Sequence, residues 1–338
     1  MTVQPIRLGS AALAFPVILA PMAGITDLPF RRMVAKFGAG LMVSEMVASS
    51  EIASRRPSSR ALARARAEVE GAVPVSVQIA GREADVMAET ARRVADLGAR
   101  IVDINMGCPA KKVTGGLAGA ALMRDLDRAL SLIEAVAEAV PQLPVTLKMR
   151  LGWDADCLNA PALASRAAAA GVRMLAVHGR TRAQFYTGSA NWDAIAAVGV
   201  AVASLPDAPP LVANGDVTDA ASARAALSAS GAAAVMVGRG AQGRPWRLQQ
   251  IAHELWGAAA PVVPRGAALA AAVTEHYDDI LDFYGVELGG RVARKHLFWW
   301  AEAAGIPEAR TPLVQAPSPA EARREIAARF ADAPGETG

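Results

Sequence analysis

The sequence predicts an α/β protein, a (β/α)8 barrel of the TIM type with a small all-helical domain at its C-terminal end. Three observations carry that expectation. Eight short β-type runs recur over about 240 residues, each followed by a longer helical stretch, which implies parallel strands joined by crossover helices. No Gly-x-Gly-x-x-Gly turn follows the first run, so an open doubly wound sheet is the second choice. Beyond Trp246 no convincing strand remains, and helical stretches are broken at Pro261, Pro264, Gly285, Gly289, Gly290 and Pro307. The expected division is a barrel over residues 1–248 and a helical domain over 249–338, with residues 333–338 frayed.

Taken in order, the β-type runs are residues 17–20, 41–44, 75–79, 101–105, 145–149, 174–178, 211–214 and 234–237. The apolar stretch 11–20 follows Arg7 and faintly resembles a leader peptide. Pro16 and Pro21 interrupt it and no clean small-residue cleavage site follows, so it reads as a first strand. Helical patterns cover 85–97, 126–140 and 160–170. Gly98, Gly171 and Gly231 stand where a left-handed helix end precedes the next strand. No apolar run approaches the roughly 20 residues of a membrane span.

With 338 residues, 53% of them hydrophobic and 20% charged, the chain can bury one large core and a small second one. A net charge of +3 tolerates a polyanionic partner without demanding one. Basic residues gather at Arg31, Arg32 and Lys36, at Arg55, Arg56, Arg60, Arg64 and Arg66, at Lys111 and Lys112, and at Arg291, Arg294 and Lys295. Taken singly, each cluster reads as a solvated helix face. Cys108 and Cys157 cannot make a disulfide framework and fit a reducing, cytoplasmic setting. The four histidines lie far apart with no zinc-site spacing, so no metal is expected.

Strand side chains alternate between two faces, so parity tells which residues enter a barrel. Val145, Leu147 and Met149 share one face, and Thr146, Lys148 and Arg150 the other. Ser76 pairs with Gln78 in this sense, and Asp103 with Asn105. The polar residue nearest each C-terminal strand end is Gln78, Asn105, Lys148, His178 or Asn214, and in an α/β barrel those ends converge where active sites are built. An inward lysine is costly unless an anion meets it. Asn214-Gly215-Asp216 and Gly238-Arg239-Gly240 end the last two strands, where loops commonly hold phosphate. FMN satisfies this pattern, and so does a phosphorylated sugar substrate. Cys108 follows the fourth strand in Asn105-Met106-Gly107-Cys108-Pro109, a fixed turn at the same face. A thiol there serves as nucleophile or proton donor, and near neutrality it is mostly protonated, which suits an acid. The stretch 110–119, with Lys111, Lys112, Gly115 and Gly116, reads as a basic lid.

These motifs resemble the tRNA-dihydrouridine synthases, most closely the bacterial B subfamily. The matching segments run in order from Ala20-Pro21-Met22-Ala23-Gly24-Ile25-Thr26-Asp27 through the cysteine turn with its double lysine and Lys148-Met149-Arg150. They continue with His178-Gly179-Arg180-Thr181-Arg182, Gln184, Tyr186, Gly188 and Trp192. Asn214-Gly215-Asp216, Val237-Gly238-Arg239, Gly243-Arg244-Pro245-Trp246 and Ala293-Arg294-Lys295-His296 complete the set. Gly119-Ala120-Ala121 stands where the family often has Gly-Ser-Ala, and Phe298-Trp299-Trp300 where a Trp-Tyr pair is common.

The resemblance implies FMN at the mouth of the barrel, lined by Pro21, Met22 and Ala23 and contacted by Gln78, Lys148 and His178. Asn214, Gly215, Asp216, Gly238 and Arg239 would hold its phosphate. Cys108 would protonate C5 of a uracil whose C6 receives hydride from the flavin, with NADPH reloading the flavin. Asn105, Lys111, Lys112, Arg150, Arg180 and Tyr186 would contact the substrate uridine and its surroundings. Arg294, Lys295 and His296, with Arg291, would grip tRNA phosphates from the helical domain. Residues 249–338 hold no basic surplus, so that grip must be a local patch. The implied protein is a monomer acting on tRNA, with no membrane and no metal. Rival readings are an FMN barrel acting on a free pyrimidine, an RNA-binding regulator without catalysis and a phosphate-sugar isomerase. A basic lid and a helical domain have no purpose for a small substrate, and neither of the last two needs Cys108.

Overall fold

A computed structural model of the chain describes residues 6–54 and 56–335. Arg55 and residues 336–338, named above in a basic cluster and a frayed end, lie outside the described residues. Eight strands form the barrel: β1 (Val17–Leu19), β2 (Leu41–Val43), β3 (Val75–Ala80), β4 (Val102–Met106), β5 (Val145–Arg150), β6 (Leu175–His178), β7 (Leu211–Asn214) and β8 (Ala234–Val237). Each pairs in parallel with the next, and β8 pairs with β1 to close the sheet. All eight expected strands are present, and Gly98, Gly171 and Gly231 take positive φ where helices end.

Alternation sorts each strand into two faces. Val77, Ile79, Ile104, Leu147, Met149 and Val177 point outward and pack under the surrounding helices in the main core. Each fully buried aliphatic side chain of this kind contributes about 1.5–3 kcal/mol. The interior divides into two halves. Ile18, Leu41, Val43, Ala176, Val212, Ala234 and Met236 make one half apolar. The inner faces of β3, β4 and β5 carry Ser76, Gln78, Asp103, Asn105, Thr146 and Lys148 instead.

The stretch expected to be one strand from residue 11 is divided at Pro16. Arg7–Leu8 and Ala11–Ala12 form an antiparallel hairpin, and only Val17–Leu19 joins the barrel. The hairpin is a plug: Ile6, Leu8 and Leu13 pack into the apolar half of the interior. Arg31 also departs from the solvated face assigned to its cluster. Its side chain is buried, with Nη1 bonded to Glu68 Oε2 (2.6 Å) and Thr26 O, and Nη2 to Ala67 O.

Helix Arg247–Trp256 buries Leu248, Ile251, Ala252 and Leu255 in the barrel's core. The division expected at residues 248 and 249 therefore falls within a helix that packs with the barrel. The helices Ala267–Tyr284, Val286–Ala303, Arg310–Gln315 and Pro319–Phe330 have their own core, which reaches Met33 and Trp246 of the barrel. Two polar ties reinforce that docking. Tyr284 Oη donates to Asp27 Oδ2 (2.9 Å), and Lys295 Nζ donates to the carbonyl of Gly24. Gly243, at positive φ, lies so close to the backbone of helix Val286–Ala303 that a β-carbon there would fall on the carbonyl of Trp299. No described helix is long and apolar enough to cross a membrane.

Candidate active site

The C-terminal strand ends surround a cavity of about 870 Å³. Among its lining residues are Pro21, Met22, Ala23, Gln78, Asn105, Cys108, Lys148, Arg150, His178 and Tyr186. The turns at Asn214, Gly215, Asp216, Gly238 and Arg239 close one end. These come from separate strands and loops, so the barrel brings together most residues that the sequence singled out.

Strand register explains the polar floor. Gln78 lies beside Asp103, Asp103 beside Thr146, and Asn105 beside Lys148. Asp103 accepts from Gln78 Nε2 (2.7 Å) and Thr146 Oγ1 (2.6 Å). Gln78 Oε1 accepts from Asn105 Nδ2 (2.6 Å), and Asn105 Oδ1 accepts from the backbone N–H groups of Gly107 and Cys108 (3.1 and 2.9 Å). The polarity of this relay has a cause. The Asp103 oxygen that faces Gln78 accepts, so it turns the Gln78 amide nitrogen downward; Gln78 then presents oxygen to Asn105, and Asn105 presents oxygen to the cysteine turn. Burial pushes the Asp103 carboxyl up from its ordinary pKa, while the bonds from Gln78 and Thr146 and the charge of Lys148 pull the other way.

Lys148 Nζ donates to Asn214 Oδ1 (3.0 Å), and Asn214 Nδ2 donates to the Met236 carbonyl (2.8 Å). Burial, with Arg150 nearby, lowers the lysine pKa to about 8, against the opposing pull of Asp103 and Cys108. His178 is lowered to about 2, first by burial and then by Lys148, Arg150, Arg180 and Arg239, so the ring is neutral. A guanidinium only donates, and Arg180 Nη1 lies 3.3 Å from His178 Nε2. Nε2 therefore accepts, and the ring proton sits on Nδ1.

The glycine-bearing end is braced from outside. Gly215 has φ +110°, and a β-carbon there would crowd Ala190 and His178, both at 2.8 Å. Trp192 Nε1 holds the Gly215 carbonyl (2.9 Å). Arg239 is 56% exposed, 3.5 Å from Asp216, with its guanidinium 5.0 Å from the Tyr186 ring centre. Backbone N–H groups beside a cation suit an anion at this end.

Several expected ligands have other roles. Arg180 is buried and committed. It forms two bonds to Asp216 (2.6 and 2.9 Å) and reaches the carbonyls of Thr187 and Gly188, so it braces the loop rather than meeting a substrate. Asp216 lines the cavity, but its carboxylate belongs to Arg180 and the Ala190 N–H. Burial pushes its pKa up, and those bonds and the nearby arginines outweigh that and hold it low. Any share it has in anion binding must come from its backbone. Arg150 clamps two loops together, with Nε on the Gly107 carbonyl (2.9 Å) and Nη1 on the carbonyls of Thr181 and Phe185 (both 2.8 Å).

Outside the cavity, Lys111 and Lys112 are exposed on a one-turn helix, Lys111–Thr114, within the stretch expected to be a lid. Arg294 faces a separate groove beside Arg291 and Glu287. Lys295 reaches the Gly24 loop next to the cavity wall. His296 is the clearest correction: it is buried among Phe30, His276 and Trp299, with Nε2 unpaired, and can touch no RNA. Ile25, Met46, Phe185 and Arg247 line the cavity although no role was expected of them. Two of these had a sequence signal: Ile25 lies within the first matching segment, and Phe185 stands beside Tyr186.

The family model described as Dihydrouridine synthase (Dus) matches residues 18–333. A protein of Rhodobacter capsulatus named probable tRNA-dihydrouridine synthase is 63% identical over 327 residues, covering 97% of this chain and 98% of its own length. The tRNA-dihydrouridine synthase B of Pseudomonas aeruginosa is 45% identical over 306 residues, covering 90% and 89%. Among solved structures, a variant of NCR from Zymomonas mobilis has a TM-score of 0.52 at 19% identity, covering 75% of this chain and 92% of that one. The 2-naphthoyl-CoA reductase complex has a TM-score of 0.57 at 10% identity, covering 74% and 52%. At such identities these two structures speak to the barrel fold alone.

Proposed function

The chain belongs to the dihydrouridine synthase family, and from that premise we propose that it reduces the C5–C6 double bond of D-loop uridines in tRNA, with FMN in the cavity and NADPH as electron source. The observation that carries this reading is the meeting of Cys108, Lys148, His178 and the two glycine-bearing turns around one cavity.

The residues present fit a flavin mononucleotide. The cavity volume lies in the range of about 300–1,000 Å³ usual for cofactor sites. One end offers backbone N–H groups and Arg239 for a phosphate. Asn214 keeps Lys148 facing the middle, where a cation suits the electron-rich part of the ring system. His178, neutral with a proton on Nδ1, can donate one hydrogen bond. Pro21, Met22 and Ala23 supply an apolar wall, and Gln78 closes the floor.

When bound and reduced, the flavin supplies the hydride equivalent that C6 of uracil needs. The chain's own contribution is placement and a proton. Cys108 holds that proton for C5, and Asn105 fixes the turn that carries it by accepting from its backbone. The Arg150 clamp ties the same turn to the loop bearing Tyr186. A target uridine must leave its stack to enter such a cavity. Lys295 and the exposed Arg294, Lys111 and Lys112 supply positive charge for the tRNA backbone around it.

Purified protein is expected to be yellow and to release FMN on denaturation. A colourless protein unable to take up added FMN overturns the flavin reading. Cys108→Ala is expected to keep its flavin and lose most dihydrouridine formation on unmodified tRNA; near-normal turnover would exclude Cys108 as the acid.

A further inference from the structure

Phe185 and Tyr186 stand together at the rim of the cavity, 45% and 48% exposed, in a chain whose other aromatic rings are mostly covered. Their rings meet edge to face, with centres 4.7 Å apart at 79°, which leaves ring surface open to a third planar group. The Phe185 backbone is left-handed, with φ +53°, a conformation disfavoured for a bulky residue without local support. That support is present. Phe185 N donates to the Arg182 carbonyl (3.1 Å), Thr181 and Gln184 bond each other across the turn, and Arg150 Nη1 holds the Phe185 carbonyl. Tyr186 is flanked by the guanidinium groups of Arg239 and Arg150, 5.0 and 5.7 Å from its ring centre. A braced turn thus presents an apolar ring to solvent beside one exposed cation, Arg239, while Arg150 braces the turn from beneath.

We propose that Phe185 is a stacking platform for the nucleobase next to the uridine that enters the cavity. This rests on the reading that a base of tRNA is the substrate. A uridine drawn out of its stack uncovers the face of its neighbour, and an aromatic ring at the rim covers that face again. An exposed aromatic ring beside an exposed arginine is the chemistry by which unstacked nucleotides are held: the ring takes the base and Arg239 attracts the backbone. An apolar protein partner would gain little from the flanking guanidinium groups. Tyr186, fixed from both sides, keeps the Phe185 ring upright.

The test compares wild-type protein with Phe185→Ala, Phe185→Leu and Phe185→Trp on unmodified tRNA, with flavin content measured for each. Stacking of this kind predicts kcat/KM about tenfold or more lower for Phe185→Ala and Phe185→Leu, mainly through KM, with flavin unchanged and Phe185→Trp restored to within about threefold. A tRNA carrying 5-iodouridine next to the target is expected to photocrosslink at residue 185. Leucine performing as well as phenylalanine, or alanine matching wild type, overturns the platform while leaving the uridine-reducing activity standing. Wild-type protein that forms no dihydrouridine overturns that activity and the platform with it.

Discussion

Asp103 contacts neither the cysteine nor the open cavity, yet its replacement tests whether the polar floor holds the site in register. Its carboxylate accepts from Gln78 Nε2 and Thr146 Oγ1 at 2.7 and 2.6 Å. Asp103→Leu strands both donors in the barrel interior at about 1–3 kcal/mol each, so about 2–6 kcal/mol of stability is lost. Asp103→Asn is far milder. Its oxygen keeps the Gln78 bond, and the Thr146 hydroxyl turns to accept from the new amide nitrogen. What goes is the charge assistance, about 1 kcal/mol per bond, partly offset by the removal of a buried charge. Urea unfolding should place the Asn variant within about 2 kcal/mol of wild type and the Leu variant well below it. Turnover separates them differently. In the Asn variant Lys148 loses a carboxylate that supports its charge, so its pKa falls below about 8 and the alkaline limb of the rate profile moves to lower pH. In the Leu variant Asn105 loses its enforced orientation and the Cys108 turn loosens, so turnover falls across the whole pH range. A Leu protein with wild-type unfolding and wild-type turnover would refute the relay.

The remaining predictions concern protons. Lys148 faces the middle of the cavity and loses its charge near pH 8, so FMN affinity measured by dialysis should weaken by less than about tenfold as pH rises through about 8. Lys148→Met should remove that dependence, and affinity that rises with pH would contradict it. His296, buried and neutral, has a pKa held well below 6.5, chiefly by burial, while the unfolded chain takes up a proton near 6.5. Stability from this residue is whole above about pH 6.5 and declines as pH falls, by up to about 1.4 kcal/mol per unit. Asp27, raised to about 6 mainly by burial, acts in the opposite sense, favouring the fold at low pH and losing that contribution as pH rises through 6. Both proteins share Asp27, so comparing His296→Leu with wild type between pH 7 and 5 isolates the histidine. The variant should show a shallower decline and little loss at pH 7, and parallel curves would put the proton uptake elsewhere.

The barrel was legible because its signal is local and repeated: alternation within each strand and a glycine at several helix ends. The polar inner positions of β3, β4 and β5 were also readable, since parity alone assigns them. What escaped depended on partners distant in sequence. Arg180 reads as a ligand until Asp216, 36 residues on, is seen to take its guanidinium. His296 follows Lys295 and Arg294, but a helix turns about 100° per residue, so the three leave in different directions: solvent, barrel mouth and core. Helix Arg247–Trp256 has an ordinary apolar stripe, and nothing in that stripe says which core will receive it. The orientation of the Gln78 and Asn105 amides follows from the register of three strands, which no single segment encodes.

Gly243 bears on how firmly the helical body is held. With no room for even one extra carbon between the loop after β8 and the carbonyl of Trp299, the helical body is seated on the catalytic body like a fixed jaw on a caliper. Any side chain at that position would have to push the loop after β8 away from the helix that carries Trp299. A single methyl group at position 243 would act as a shim, forcing the jaws apart.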